Sequence, residues 1–417
     1  MPGRWSLPRG FNRGLVLYLV AWGLMGFGYF GIQGVIFNLY LLRLGFGPEF
    51  IGLLTGVGQL IWALCALPAA ALGRRFGVRV ILIAGIAFSG VANGLALLVE
   101  VFPRPFWPVW LFGCWALLWA SSALNSVNNI PYALGAFGPS MRNRIFPLQS
   151  AVMALMALAG SIVAGAGPGL IAGWTGNTLA DPAPYRAMLW IVPALHAVSS
   201  LLFGSASPAA SVARQGETVG GGARPTGLLA LLLVIVYLQT AGEGAVRSFF
   251  NVYLDRDLGV APQLIGTLMG GAQLLPVVVA LATPRLLARW GTPGTLAFGS
   301  LGVVAALVPL VALPGLGMAA ASFATVLAMA AMNNPARNIF SQEIVGAPWR
   351  TTGAAVLTIG MALGWATSAA VGGFVIANVG FGGLFTLSAT LAATAAILAL
   401  SYRRRRAVPI AVTSATG

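Results

Sequence analysis

Phe37-Asn38-Leu39-Tyr40 opens a pattern that this chain writes twice. Arg43, Gly45, Pro48, Ile51-Gly52, Gly56 and Gln59-Leu60 follow it. Phe250-Asn251-Val252-Tyr253 is followed in the same order by Arg256, Gly259, Pro262, Ile265-Gly266, Gly270 and Gln273-Leu274. The copies stand 213 residues apart at their start and 214 from Gly45 onward. Farther on, Arg75-Phe76-Gly77 matches Arg289-Trp290-Gly291, and Asn128-Asn129 and Asn333-Asn334 fall late in the fourth apolar run of each half. A match of this length is a duplicated unit, and in a membrane protein such a duplication builds two lobes around a central site.

Of the 417 residues, 58% are hydrophobic and 7% charged. A soluble domain carries about a quarter charged residues, so the solvent of this chain is lipid. Apolar runs of roughly 20 residues, enough to cross a hydrocarbon core of about 30 Å as a helix, recur from end to end. They predict an all-α polytopic membrane protein with spans at 14–42, 50–72, 79–102, 107–133, 146–173, 185–205, 228–254, 263–287, 294–315, 317–340, 352–378 and 382–402. The short alternating segments of an outer-membrane barrel are not found. Tight reversals are expected at Pro314 to Gly317 and at Gly380 to Gly383.

The net charge of +15 follows the bilayer and gives no reason to expect a nucleic-acid partner. With the N-terminus inside, 17 arginines fall in cytoplasmic segments against 4 in outer loops, and Arg247 and Arg337 remain within spans. That asymmetry predicts both termini in the cytoplasm of a bacterial-type inner membrane. The polar stretch 208–225 reads as a linker between bundles 1–207 and 226–417. Cys65 and Cys114 both lie in apolar runs, so neither a disulfide framework nor a metal cluster is expected.

At this point the chain resembles the major facilitator superfamily over essentially its whole length. In that family the loop joining the second and third helices usually carries a Gly, an Asp, a basic residue and a second Gly. Here Arg75 and Gly77 fit, while Arg74 stands at the Asp position and Ala70 at the leading Gly. In the second half Arg289 and Gly291 fit, and Ala288 replaces the acid. The resemblance implies twelve helices in two six-helix bundles and a cytoplasmic gate near these loops, with Glu343 as a candidate replacement for the missing carboxylate. Gly160 and Gly165-Ala166-Gly167-Pro168-Gly169 resemble the glycine-rich motif of family exporters, and close helix packing is the plainer explanation.

Ionisable residues inside a span are costly and default to functional hypotheses. Glu243 and Arg247 lie four apart in the seventh span and share a helical face. Glu243 is the candidate proton carrier or substrate contact, with Arg247 tuning it, against the alternative of a structural pair. Gln33, Gln59 and Gln273 are candidate cavity-lining groups, each equally readable as a local hydrogen bond. Asn125, Asn128, Asn129, Asn333 and Asn334 cluster toward the cytoplasmic side, where gating competes with helix-end bonding. Arg337 and Glu343 read as contacts between lobes, and His196 as a packing residue more than a proton carrier.

No P-loop, His/Glu metal pair or nucleophile elbow is found, so an ATP-driven pump, a hydrolase or a cofactor enzyme is not expected. The resemblance implies secondary transport of a small-molecule substrate by a monomer in contact with membrane lipid, with protons as the simplest coupling ion. The alternatives are an uncoupled facilitator and a non-transporting sensor or partner-binding protein of the same fold.

Overall fold

The structure, a computed structural model, describes residues 13–137, 142–206 and 225–407, all of its regular elements being helical. Of the expected linker 208–225, only Pro225 is among them. The helices are α1 (Arg13–Arg43), α2 (Pro48–Phe76), α3 (Val78–Ala96), α4 (Trp107–Phe137), α5 (Arg142–Thr175) and α6 (Ala183–Ser205). In the second half they are α7 (Thr226–Arg256), α8 and α9 (together Pro262–Ala312), α10 (Leu316–Glu343), α11 (Arg350–Val379) and α12 (Phe381–Ala407). Eleven helices among the described residues are long and apolar enough to cross a membrane. One of these, Pro262–Ala312, runs for 51 residues, about 77 Å at 1.5 Å per residue. It folds back at Gly291 (φ 68°, ψ 175°) and so supplies two crossings, making twelve among the described residues. This is a multi-pass membrane protein.

Gly77, the repeat partner of Gly291, turns α2 into α3 with φ 94°. Both positions need a backbone that only glycine adopts cheaply, which is why the repeat keeps a Gly there. The reversals near Gly315 and Gly380 form as expected, the second with one residue between α11 and α12. Three boundaries differ from the sequence expectation. The third helix stops at Ala96 and the chain reaches 102 through a short 3-10 turn. The sixth is interrupted at Trp190, and the eighth at Gln273.

Packing gathers the helices into two units. The first takes the described residues up to 206 together with Ser248–Leu274 and Ala369–Phe381, which are the end of α7, the start of α8 and the end of α11. Its interior includes Leu15, Tyr18, Trp22, Leu82, Ile86, Tyr132 and Phe203. The second takes the rest, around Leu232, Ile235, Leu296, Ala336, Phe340 and Ala399. Large apolar side chains remain bare, as Leu67 at 81% and Leu281 at 75% exposure illustrate, which a chain solvated by lipid tolerates.

Within α1 the backbone widens to a π-helix over Gly26–Gln33. A Cβ on Gly26 would stand 2.6 Å from the Met153 carbonyl oxygen, and one on Gly31 2.7 Å from Gly160 Cα. The glycines therefore let α1 and α5 meet backbone to backbone, the close approach on which helix association in lipid depends. Gly160 is thus a packing residue.

Candidate functional site

In the second unit, Glu243 on α7 and Arg337 on α10 form an ion pair of 3.0 Å, with 1% and 0% of their side chains exposed. Gln239, one turn before Glu243, accepts a hydrogen bond from Arg337 Nε at 3.1 Å. Its own amide donates to Leu296 O at 3.1 Å and Ser300 Oγ at 2.9 Å on α9. Arg337 Nη1 also reaches Asn334 Oδ1 at 3.3 Å. Glycines flank Glu243 because α7 is crowded there. A Cβ on Gly242 would lie 3.0 Å from Ser388 O, and one on Gly244 2.6 Å from Ser368 Oγ. Glu243 Oε2, Arg337 Nη2 and Asn333 Oδ1 are buried with no protein hydrogen-bond partner.

This arrangement corrects the expected pairing. Arg247 is exposed, and Glu243 turns instead to Arg337, 94 residues away. Arg337, expected as a contact between lobes, is fully buried, and its hydrogen-bond partners Gln239, Glu243 and Asn334 lie in its own unit. Gln33 is buried at 5% exposure, whereas Gln59 and Gln273 are half-buried, Gln273 at the break in α8. His196 is held through Nδ1 against Val192 O at 2.8 Å and packs on Gly90.

The first asparagine pair serves helix packing. Asn128 donates to Ala69 O at 3.1 Å, tying α4 to α2. Asn129 joins Tyr18 and Gln149 in a buried cluster, with the Tyr18 hydroxyl 2.8 Å from Asn129 Oδ1 and 2.6 Å from Gln149 Oε1. Asn333 fits against Gly299, and Asn334 is the one of its pair that meets Arg337.

A second constellation, in the first unit, was not singled out in the sequence. Arg43 at the end of α1 donates from Nη1 and Nη2 to both carboxylate oxygens of Asp255 at the end of α7, each at 2.6 Å. Arg43 Nε binds Leu179 O at 3.0 Å, and its guanidinium lies 5.4 Å from the Tyr185 ring centre. The loop carrying Leu179 is pinned by Asp181, which accepts from Thr178 N at 2.7 Å and Thr178 Oγ1 at 2.8 Å. Those two donors lower the proton affinity of the Asp181 carboxyl. One turn before Arg43, Asn38 Nδ2 binds Asn251 Oδ1 at 3.1 Å, and these two residues are repeat partners. So are Gly52 and Gly266, each of which admits another helix: Gly52 meets Ala369 and Gly373 on α11, Gly266 meets Ser161 and Gly165 on α5. The hint in the sequence was a carboxylate at Asp255, next to Arg256, the repeat partner of Arg43.

Residues 229–417 match the family model described as Major Facilitator Superfamily. No curated protein matches the sequence. Among solved structures, a bacterial homolog to the human lysosomal transporter Spinster, in an inward-facing and occupied conformation, aligns at 17% identity with a TM-score of 0.71. The alignment covers 96% of this chain and 98% of that one. The nucleoside transporter NupG aligns at 14% identity and TM-score 0.65, over 95% and 98% of the two chains. A D-xylose-proton symporter aligns at 11% and 0.68, over 93% and 96%. This is the major facilitator fold.

The fold that the sequence resemblance implied is thereby borne out. Against the major facilitator pattern, the α2–α3 and α8–α9 turns keep their glycines at Gly77 and Gly291 while lacking the carboxylate. Arg75 and Arg289 are exposed, each over the aromatic ring that follows it, Phe76 at 5.1 Å and Trp290 at 5.9 Å. Glu343, at the end of α10, lines a cavity of about 310 Å³ with Trp290, Gly291, Phe340, Tyr402 and Arg403. It stands beside the second of the two turns, where the family's acid is missing.

Proposed function

We propose that this chain is a secondary transporter that moves a small solute by alternating access and couples the movement to protons at Glu243. The observation that carries the reading is the fully buried Glu243–Arg337 pair, whose Oε2 and Nη2 have no protein partner. A charge at membrane depth costs about 2.5–3.5 kcal/mol even on insertion scales, and a buried ion pair is weak evidence for stability. Such a pair is therefore retained for use. Protonation of Glu243 removes the Coulomb attraction to Arg337 and leaves Gln239 and Asn334 as its remaining partners. That event biases α7 against α10, the kind of local change that shifts a two-state protein. The membrane potential supplies about 2.3 kcal/mol per charge per 100 mV.

Alternating access also needs a closure that can reopen, and the Arg43–Asp255 and Asn38–Asn251 contacts supply a hydrogen-bonded one. Arg75, Gly77, Arg289, Gly291 and Glu343 are assigned to the opposite, cytoplasmic gate. Among proteins of like fold, one is a nucleoside transporter and one a D-xylose-proton symporter, which supports a small-molecule substrate and a proton as coupling ion. The arginine distribution supports an inner-membrane orientation with both termini cytoplasmic, and the family resemblance supports a monomer.

Proteoliposomes with an imposed pH gradient test the coupling. Glu243→Gln is expected to abolish gradient-driven accumulation while sparing exchange of substrate down its own gradient. Full accumulation in that variant removes Glu243 from the mechanism. The orientation has a separate test on a Cys-free background. Asp181→Cys should react with an impermeant maleimide from outside intact cells, and Ala288→Cys only after lysis. The reverse pattern inverts the topology.

A further inference from the structure

Gln33 ends the π-helical segment of α1, is 5% exposed, and has no hydrogen-bond partner for either Oε1 or Nε2. Buried side-chain amides are almost always satisfied, so each orphan calls for an explanation. π-Helical segments occur frequently at functional sites. Two further orphans lie at the same depth. The indole Nε1 atoms of Trp115 and Trp119 on α4 are also buried without a partner.

Helical register sets the three at one level of the helices. Phe37, one turn after Gln33, stacks on Trp115 with ring centres 4.6 Å apart. α1 and α4 run antiparallel across the membrane, so one turn inward from that stack lie Gln33 on α1 and Trp119 on α4. Counted from the outer helix ends at 1.5 Å per residue, Gln33 is about 15 Å deep and Trp119 about 18 Å. That is the middle of a hydrocarbon core of about 30 Å. Gly58 on α2 stands at the same level; a Cβ there would collide with Trp119 and lie 2.9 Å from Trp115 Cδ1. The missing side chain leaves the indoles their place.

We propose that Gln33, Trp115 and Trp119 form a recognition face for an uncharged, ring-shaped solute bearing hydroxyl or carbonyl oxygens, of the sugar or nucleoside kind. The face offers N–H donors from three residues and one amide oxygen as acceptor, with aromatic rings for the flat or apolar side of the ring. None of the three residues carries a charge, which disfavours an ionic solute because its hydration would be lost without compensation. The proposal rests on the transport reading for its purpose, but binding itself requires no gradient.

The test is thermal unfolding and titration of the purified full-length protein with uridine, D-glucose and, as a charged comparison, L-glutamate. Uridine or D-glucose is expected to raise the unfolding temperature, since a ligand of the folded state stabilises it by mass action, and L-glutamate is not. Gln33→Leu should weaken that binding about tenfold while raising the ligand-free unfolding temperature, because an orphaned amide has been replaced by an apolar group. Trp119→Phe keeps one aromatic ring, loses the N–H together with the second ring, and should weaken binding several-fold. The proposal is overturned if neither neutral solute shifts the wild type, if L-glutamate shifts it more, or if Gln33→Leu binds as wild type or is less stable without ligand. Neutral-solute binding without proton-driven uptake sinks the coupling reading and leaves this one standing. Proton-driven uptake of glutamate alone does the opposite.

Discussion

Arg43→Ala is expected to open the outer side of the protein with no change of pH or substrate. The guanidinium and the Asp255 carboxylate meet in a two-pronged pair at 2.6 Å per bond, with 19% and 9% of the side chains exposed. Truncating one partner of a hydrogen-bonded charge pair that is largely out of water costs about 2–5 kcal/mol. The residual exposure of Arg43 places this pair at the lower end, about 2 kcal/mol, which is about 30-fold in a two-state equilibrium. Asn38–Asn251 and the glycine crossings at Gly52 and Gly266 remain, so the closed state is weakened rather than abolished. The measurement is the labelling rate of Val35→Cys, fully buried in this state, by an impermeant maleimide outside the cell. Arg43→Ala and Asp255→Asn should both accelerate it, and exchanging the two residues should restore much of the protection. An unchanged rate in either single variant means that the pair does not hold the closure.

What sequence reasoning recovered follows from the range of the interactions involved. The spans, the tight reversals and the glycine turns at Gly77 and Gly291 are local, written in runs of apolar residues and in single positions that tolerate φ above zero. The repeat was legible because two copies of one pattern check each other. The interactions that matter most at the site are not local. Arg337 lies 94 residues from Glu243, and Asp255 lies 212 from Arg43. Helical spacing favoured Arg247 as the partner of Glu243, since i and i+4 share a face. It cannot weigh a residue on another helix that is buried more deeply. The π-helical segment was equally silent, because nothing in the residues from Gly26 to Gln33 distinguishes its hydrogen-bond pattern from that of an α-helix. Asn128 and Asn129 were readable as gate residues or as structural hydrogen bonders, and their amides bind α2, α1 and α5.

Arg337→Ala is expected to cause the largest loss of stability of any single substitution considered for this protein. It leaves Glu243, 1% exposed, without its ion-pair partner, and such a break in a buried pair costs about 3–5 kcal/mol. It also strips Gln239 of the donor to its Oε1. Arg247→Ala, at an exposed position on the same helix as Glu243, should stay within about 0.5 kcal/mol of wild type. That contrast separates the pair the structure contains from the pair that helical spacing favoured. Glu243→Leu combined with Arg337→Met should recover most of the loss, because replacing both ions by apolar groups of similar volume is often neutral or stabilising. Thermal unfolding in detergent of Glu243→Leu, Arg337→Met and the double variant gives the coupling energy. If the double variant is as stable as wild type yet cannot accumulate solute against a gradient, the charges exist for transport and the fold does without them. If Arg337→Ala alone proves as stable as wild type, the pair with Glu243 does not hold this state together.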